Sequence, residues 1–165
     1  MSRYMNLIGQ NAKKASLEKV NSTVKNKILK RYALLLDKER NSIIKENIKD
    51  IKFALKKGLK NNLIDRLTIN HNKLDNIKDS INKITKLKDP VDNILERWTR
   101  PNGLKIKRVS IPIGVIGVIY ESRPNVTSDV ASLCFKSGNA VILKGGSEAI
   151  NTNKILAKLF RKALK

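Results

Sequence analysis

The sequence predicts an α/β protein built from an N-terminal helical arm, a β-hairpin and the start of a parallel sheet. Three observations predict it: amphipathic periodicity in the first ninety residues, two alternating segments around an Asn-Gly turn, and two apolar runs separated by a helical stretch. The predicted division is 1–90 for the arm, 91–110 for the hairpin and 111–165 for an incomplete α/β domain.

The arm contains three predicted helical segments. Apolar residues recur at three- and four-residue steps over Met5–Val20, Ser22–Lys57 and Asn72–Leu87. Gly58 ends the second segment, because glycine takes the left-handed conformation that closes helices without a Cβ clash.

The hairpin prediction covers two alternating segments, 94–100 and 104–109, on either side of Pro-Asn-Gly. A hairpin this exposed and this basic is either an edge element or a subunit contact.

The last third of the chain predicts a β-α-β-α unit. Residues 113–120 are apolar on both faces, as in a buried parallel strand. A helix over 124–136, a second strand over 140–143 and a helix over 148–164 follow, which is the order of a nucleotide-binding crossover unit. Because two parallel strands leave sheet edges unpaired, we expect this unit to be truncated.

The net charge of +21 raises the possibility of a nucleic-acid-binding protein. Residues 111–150 are neutral, with three basic and three acidic side chains, so the excess lies on the helical arms. The chain has 26 lysines but 9 arginines, and Arg supplies the forks that recognise bases. Abundant Lys, Asn and Ile share AT-rich codons, so a solvated surface is the favoured interpretation, and we expect no nucleic-acid partner.

Several other classes of protein are excluded by simple counts. A single cysteine, Cys134, excludes a disulfide framework and a multi-cysteine zinc site, and a single histidine, His71, makes neither a metal site nor a triad. The longest apolar run is about half of what a bilayer crossing needs, and the N-terminus lacks the apolar core of a secretory signal. We expect a cytoplasmic chain with no metal and no membrane partner.

The segment Lys144-Gly145-Gly146-Ser147-Glu148 is a candidate ligand loop. It leaves the carboxyl end of a predicted strand and enters a helix, where α/β sheets bind ligands. The glycines allow close backbone approach, Lys and Ser can contact a phosphate, and Glu can accept from ribose hydroxyls. An ordinary turn is the alternative.

Asn125 follows the carboxyl end of the other predicted strand, so we expect it beside this loop. Its amide can donate to a developing oxyanion. From spacing alone a helix cap is the favoured interpretation, since Asn is a preferred residue at helix starts.

Two stretches resemble a known family. Residues 114–127, Gly-Val-Ile-Gly-Val-Ile-Tyr-Glu-Ser-Arg-Pro-Asn-Val-Thr, and residues 133–149, Leu-Cys-Phe-Lys-Ser-Gly-Asn-Ala-Val-Ile-Leu-Lys-Gly-Gly-Ser-Glu-Ala, are similar to the gamma-glutamyl phosphate reductases of the aldehyde dehydrogenase superfamily. The resemblance implies the opening unit of that superfamily's Rossmann-like cofactor domain. It also implies NADPH-dependent reduction of γ-glutamyl phosphate to glutamate-5-semialdehyde, the second step of proline biosynthesis.

The resemblance also implies roles for individual residues. Asn125 matches the amide that stabilises the thiohemiacetal oxyanion, and Lys144 matches a lysine near the adenosine ribose. Ser147 and Glu148 lie, after the two glycines, in the segment that contacts the ribose or its 2′-phosphate. Arg123, particular to this branch, is assigned to the substrate's carboxylate or phosphate.

The family's nucleophilic cysteine lies downstream of the matched region. Cys134 sits in an apolar helical stretch, where cysteines are mostly inert packing groups. The resemblance therefore predicts a chain that is inactive alone, taken from a family whose full-length members form homo-oligomers. The alternatives are a non-enzymatic basic protein that binds nucleic acid and a truncated gene product without function.

Overall fold

The computed structural model describes residues 3–165, which form helices and two small sheets. In chain order the elements are α1 (Arg3–Ser16), α2 (Ser22–Lys38), α3 (Arg40–Lys56), α4 (Asn61–Leu67), α5 (His71–Lys86), β1 (Ile94–Thr99), β2 (Lys105–Val109), β3 (Val115–Tyr120), α6 (Asn125–Lys136), β4 (Ala140–Gly145), a 3-10 turn (Ser147–Ala149) and α7 (Ile150–Leu164). Met1 and Ser2, which begin the predicted arm, lie outside the described residues.

One hydrophobic core joins the predicted arm to the C-terminal helix. The fully buried side chains that form it come from α2, α3, α5 and α7, and they include Leu29, Tyr32, Leu36, Ile43, Leu74, Ile81 and Leu156. The Tyr32 hydroxyl lies 2.7 Å from the Ser128 Oγ of α6, which ties the arm to the crossover helix. The domain division at residues 90 and 110 stays a prediction.

The predicted helix over Ser22–Lys57 is two helices in the structure. Glu39 stands at the junction with φ −101° and ψ 18°, and α3 begins at Arg40. The Arg40 guanidinium donates to Asp37 of α2 and to Asp75 of α5, so charged contacts hold the break. Periodicity missed it because the apolar seam continues across the junction.

Helix α4 was not predicted. It has seven residues, and only Leu67 among them is buried, so it is too short for a periodic signal to develop. Its last turn places Arg66 beside residues of α5 and α6.

The predicted hairpin is confirmed. Strands β1 and β2 pair antiparallel from Ile94↔Val109 to Thr99↔Lys105, with a register shift between Ile94 and Glu96. They form a two-stranded sheet of their own, and nearly all of their side chains are exposed. Whether this hairpin serves as a subunit contact stays a prediction.

The parallel pairing of the two strands is confirmed, but β3 is not the strand buried on both faces that the sequence predicts. Val115 and Ile119 are exposed, because the sheet has only two strands in the described part of the chain and one face of β3 is left uncovered. The strand boundary also needs a correction. Strands β3 and β4 pair from Val115↔Ala140 to Tyr120↔Gly145, and α6 connects them. Lys144 and Gly145 were expected in the turn but belong to β4, because the ladder with β3 continues to its last residue. The turn begins at Gly146, and α7 starts at Ile150 after the 3-10 turn.

No helix among residues 3–165 has the length and apolar character needed to cross a membrane. Over the same residues, no group of three or more His, Cys, Asp or Glu side chains is placed to hold a metal ion.

Candidate functional site

The loops after β3 and β4 lie side by side, as the sequence predicts. Tyr120 and Gly145 are paired at the carboxyl ends of the two strands, so residues 121–124 and 146–149 leave the sheet at one edge. The Glu148 Oε1 accepts the backbone N–H of Ser122 at 2.6 Å and the Ser122 hydroxyl at 3.1 Å. These hydrogen bonds join the two loops directly.

Ser122 is buried and has φ 46°, which is unusual for a residue with a Cβ. Such a left-handed conformation costs about 1–3 kcal/mol and persists where the surroundings determine it. Here the Glu148 carboxylate holds it. Since Arg123 and Asn125 follow immediately, Glu148 fixes the path of the chain into both.

The two glycines make room for side chains of this chain. A Cβ at Gly146 would overlap the Glu148 carboxylate, and a Cβ at Gly145 would overlap the Asn153 amide. From the sequence, both glycines were expected to allow the approach of a ligand. In the structure the groups that approach them are Glu148 and Asn153, and their assignment to a cofactor stays a prediction.

Lys144 and Ser147 are exposed at this edge of the sheet. Neither side chain has a hydrogen-bond partner among residues 3–165. A cationic ammonium and a hydroxyl are therefore available to a ligand here, whereas the Glu148 Oε1 is already bound to Ser122.

The carboxylate of Asp50, a residue of α3, caps the first turn of α7. It accepts the backbone N–H groups of Asn151 at 3.1 Å and Thr152 at 2.8 Å, and the Thr152 hydroxyl at 2.6 Å. Asp50 is 1% exposed, so this is a buried cap supplied from a hundred residues away. This cap was not predicted, because no local pattern links Asp50 to α7.

The helix-cap interpretation of Asn125 is wrong. Pro124 stands at the N-cap position with φ −59° and ψ −30°, and Asn125 is already the first helical residue. Because Pro124 is helical in backbone conformation, the Asn125 side chain lies past the cap. Its Nδ2 donates to the Asp129 Oδ2 at 3.1 Å, one turn further along α6.

Arg123 and Asn125 line a cavity of about 390 Å³ between α6 and the α4–α5 region. Its other polar walls include Arg66 at the end of α4, Lys73 on α5 and Asp129 on α6. With three cationic side chains and one carboxylate, the cavity favours anions. Arg66, Lys73 and Asp129 were not predicted as site residues, since their place beside Arg123 depends on packing between distant helices.

Cys134 lies on α6 with 6% of its surface exposed, and it does not line this cavity. Burial raises the pKa of its thiol. A buried neutral thiol is a packing group, as the sequence predicts. His71 is an exposed residue at the start of α5.

Comparison with known proteins identifies relatives over almost the whole chain. No family model matches it. A gamma-glutamyl phosphate reductase of Hydrogenobaculum sp. is 50% identical over 149 residues, which is 90% of this chain and 34% of the relative. The crystal structure of the gamma-glutamyl phosphate reductase from Thermotoga maritima superposes with a TM-score of 0.91 at 41% identity, covering 94% of this chain and 38% of that one.

More distant structures share the fold alone. An NAD-dependent benzaldehyde dehydrogenase from Corynebacterium glutamicum superposes with a TM-score of 0.69 at 21% identity. The chain spans about a third of the length of the curated relatives it matches. In sequence and in fold, the chain is similar to the N-terminal part of the gamma-glutamyl phosphate reductases.

Proposed function

We propose that this chain is the N-terminal part of an NADPH-dependent reductase that converts γ-glutamyl phosphate to glutamate-5-semialdehyde in proline biosynthesis. The observation that carries the proposal is the placement of the Asn125 amide. It lines an anion-favouring cavity, and the loop before it is hydrogen-bonded to Glu148 of the candidate cofactor loop. The homology to gamma-glutamyl phosphate reductases supports the choice of reaction.

Asn125 is the proposed oxyanion donor. When a thiolate adds to the acyl phosphate carbonyl, the carbonyl oxygen gains negative charge and needs a fixed donor. The Asn125 Nδ2 gives one hydrogen to Asp129, and this orients the amide so that the second hydrogen can reach the cavity. A single preorganised donor of this kind contributes about 10²–10³-fold to the rate.

NADPH, when bound, supplies the hydride. The residues of this chain are assigned only to its sugar end. Lys144 and Ser147 fit a ribose 2′-phosphate, because both are exposed and unpaired in the described part of the chain. The first turn of α7 does not fit the pyrophosphate, since Asp50 already accepts its N–H groups. Gly145, Gly146 and Glu148 shape the loop that presents Lys144 and Ser147.

The nucleophilic cysteine is assigned to a catalytic domain outside these 165 residues. Thioester formation needs a thiolate, and Cys134 is buried away from Asn125's cavity. We therefore expect no reductase activity from this chain alone. Its cytoplasmic location and its assembly into homo-oligomers also stay predictions.

The test is a chimera in which residues 1–165 replace the corresponding N-terminal part of the Hydrogenobaculum reductase. We expect the chimera to oxidise NADPH steadily with γ-glutamyl phosphate, and the chain alone to show no turnover. A folded chimera without activity would contradict the proposal. In that case, salt-sensitive binding of the chain to duplex DNA would favour the nucleic-acid alternative, and exposed apolar surface in dye binding would favour a product without function.

A further inference from the structure

Two arginines from distant parts of the chain line one cavity. Arg66 reaches it from the last turn of α4, and Arg123 reaches it from the loop before α6. Both side chains are exposed, and neither guanidinium has a hydrogen bond or an ion pair within residues 3–165. Unpaired guanidinium groups are strong donors for carboxylates and phosphates, because their planar fork matches both.

The other charged groups of the cavity do not neutralise the two guanidinium groups. The Lys73 Nζ donates to the Asp65 carbonyl at 2.5 Å, and the Asp129 carboxylate accepts from Asn125. One carboxylate thus faces three cationic groups. Ile69 and Ile77 are buried and also line the cavity, which gives the space between the charged walls an apolar side.

We propose that this cavity binds a short aliphatic chain with an anionic group at each end, and that Arg66 sets this specificity. The inference rests on the proposed function and adds a residue to it. Arg123 lies two residues from Asn125, so it serves the reacting acyl phosphate end. Arg66 serves the substrate's far carboxylate, and the apolar residues pack against the methylenes between the two ends. The cavity volume of about 390 Å³ lies in the range of small-molecule sites.

This arrangement predicts discrimination by charge at the far end. A ligand that lacks the second anion makes no charge-assisted hydrogen bond to Arg66. Losing such a polar contact reduces binding by about tenfold or more.

The direct test measures glutarate, a five-carbon dicarboxylate, against butyrate, which has one carboxylate. Binding to the chain is followed by titration of its amide NMR spectrum. We expect glutarate to bind about tenfold more tightly than butyrate, with shifts at residues 66–80 and 123–129. Arg66→Gln is expected to remove this preference, and Arg66→Lys to retain part of it. Arg31→Gln, an exposed arginine on α2 outside the cavity, is the matched control and should change nothing.

Failure to bind glutarate saturably, or an unchanged preference in Arg66→Gln, would overturn the inference. The chimeric reductase separates this failure from failure of the proposed function. There, Arg66→Gln should raise KM for γ-glutamyl phosphate about tenfold and leave kcat within a few-fold. An active Arg66→Gln chimera with unchanged KM would overturn only the role of Arg66. An inactive parent chimera would overturn the proposed function. The glutarate titration would then decide whether the cavity binds the dicarboxylate.

Discussion

Glu148 and Ser122 are joined by two hydrogen bonds to one carboxylate oxygen, at 2.6 Å from the Ser122 N–H and 3.1 Å from its hydroxyl. The pair connects the loops at the carboxyl ends of β3 and β4. It also holds Ser122 at φ 46°, immediately before the residues that line the cavity. The candidate cofactor loop and the candidate substrate cavity are thereby fixed relative to each other.

Removing the Glu148 carboxylate should destabilise this edge of the sheet. Glu148→Ala loses both hydrogen bonds and leaves the buried Ser122 groups unpaired, so we expect the free energy of unfolding to fall by about 1–3 kcal/mol. Glu148→Gln keeps a carbonyl acceptor and should lose less than half of that. Urea unfolding measures the difference, and equal stability of the Ala and Gln variants would contradict the role given to this contact.

Asp50 should stabilise the chain through α7. Asp50→Ala removes a buried cap and leaves the N–H groups of Asn151 and Thr152 unpaired, so we expect a loss of about 2–3 kcal/mol in urea unfolding. Asp79→Ala, which removes an exposed carboxylate on α5, is the control and should change stability by less than about 0.5 kcal/mol. Similar losses in the two variants would rule out a buried cap.

The stability of the chain should depend on the ionisation of Asp89. Burial disfavours its carboxylate, but the Lys25 ammonium at 3.0 Å and the Val91 N–H stabilise it more, so the pKa of Asp89 is lowered. A lowered folded pKa contributes stability above the unfolded value of about 3.9, and this contribution is lost as the pH falls through the folded pKa.

We therefore expect Asp89→Asn to be less stable than the parent chain by about 1–3 kcal/mol at pH 6. The difference should narrow steadily below about pH 4, because the unfolded parent then binds a proton at Asp89 that the folded parent takes up only at lower pH. Urea unfolding across this pH range measures it. A difference that stays constant down to about pH 2.5 would show that the ion pair does not carry the effect.

Cys134 should be unreactive in the folded chain. Burial raises the pKa of its thiol and shields it from reagents. We expect a thiol-specific chromogenic disulfide to label it slowly at pH 7 and quickly in urea. Rapid stoichiometric labelling of the folded chain would contradict its assignment to packing and reopen the question of its chemistry.

The elements were predictable wherever a local pattern carries them. The hairpin follows from alternation around Asn-Gly, and the parallel pair follows from two apolar runs separated by a helix. Helix α4 was not predictable from its seven residues, and the break at Glu39 depends on Arg40 contacting Asp75 of another helix. Those features are set by tertiary contacts that a pattern along the chain does not contain.

The candidate site likewise combines residues that a local pattern predicts with residues that only tertiary packing brings in. Arg123, Asn125 and the Lys144–Glu148 loop were found from their positions after strands and from resemblance. Arg66 lines the same cavity as Arg123, 57 positions away, and Asp50 caps the N–H of Asn151, 101 positions away, so no spacing rule points to either residue. The prediction that Asn125 is a cap failed because Pro124 already takes the helical conformation.

The role of Asn125 as oxyanion donor is tested by the contribution of its amide to turnover in the chimeric reductase. We expect Asn125→Ala to lower kcat about 10²–10³-fold with KM for γ-glutamyl phosphate changed by less than about threefold, because the amide acts on the oxyanion and not on the bound substrate. A chimera that keeps its full kcat without this amide would contradict the placement of the reacting carbonyl beside Asn125.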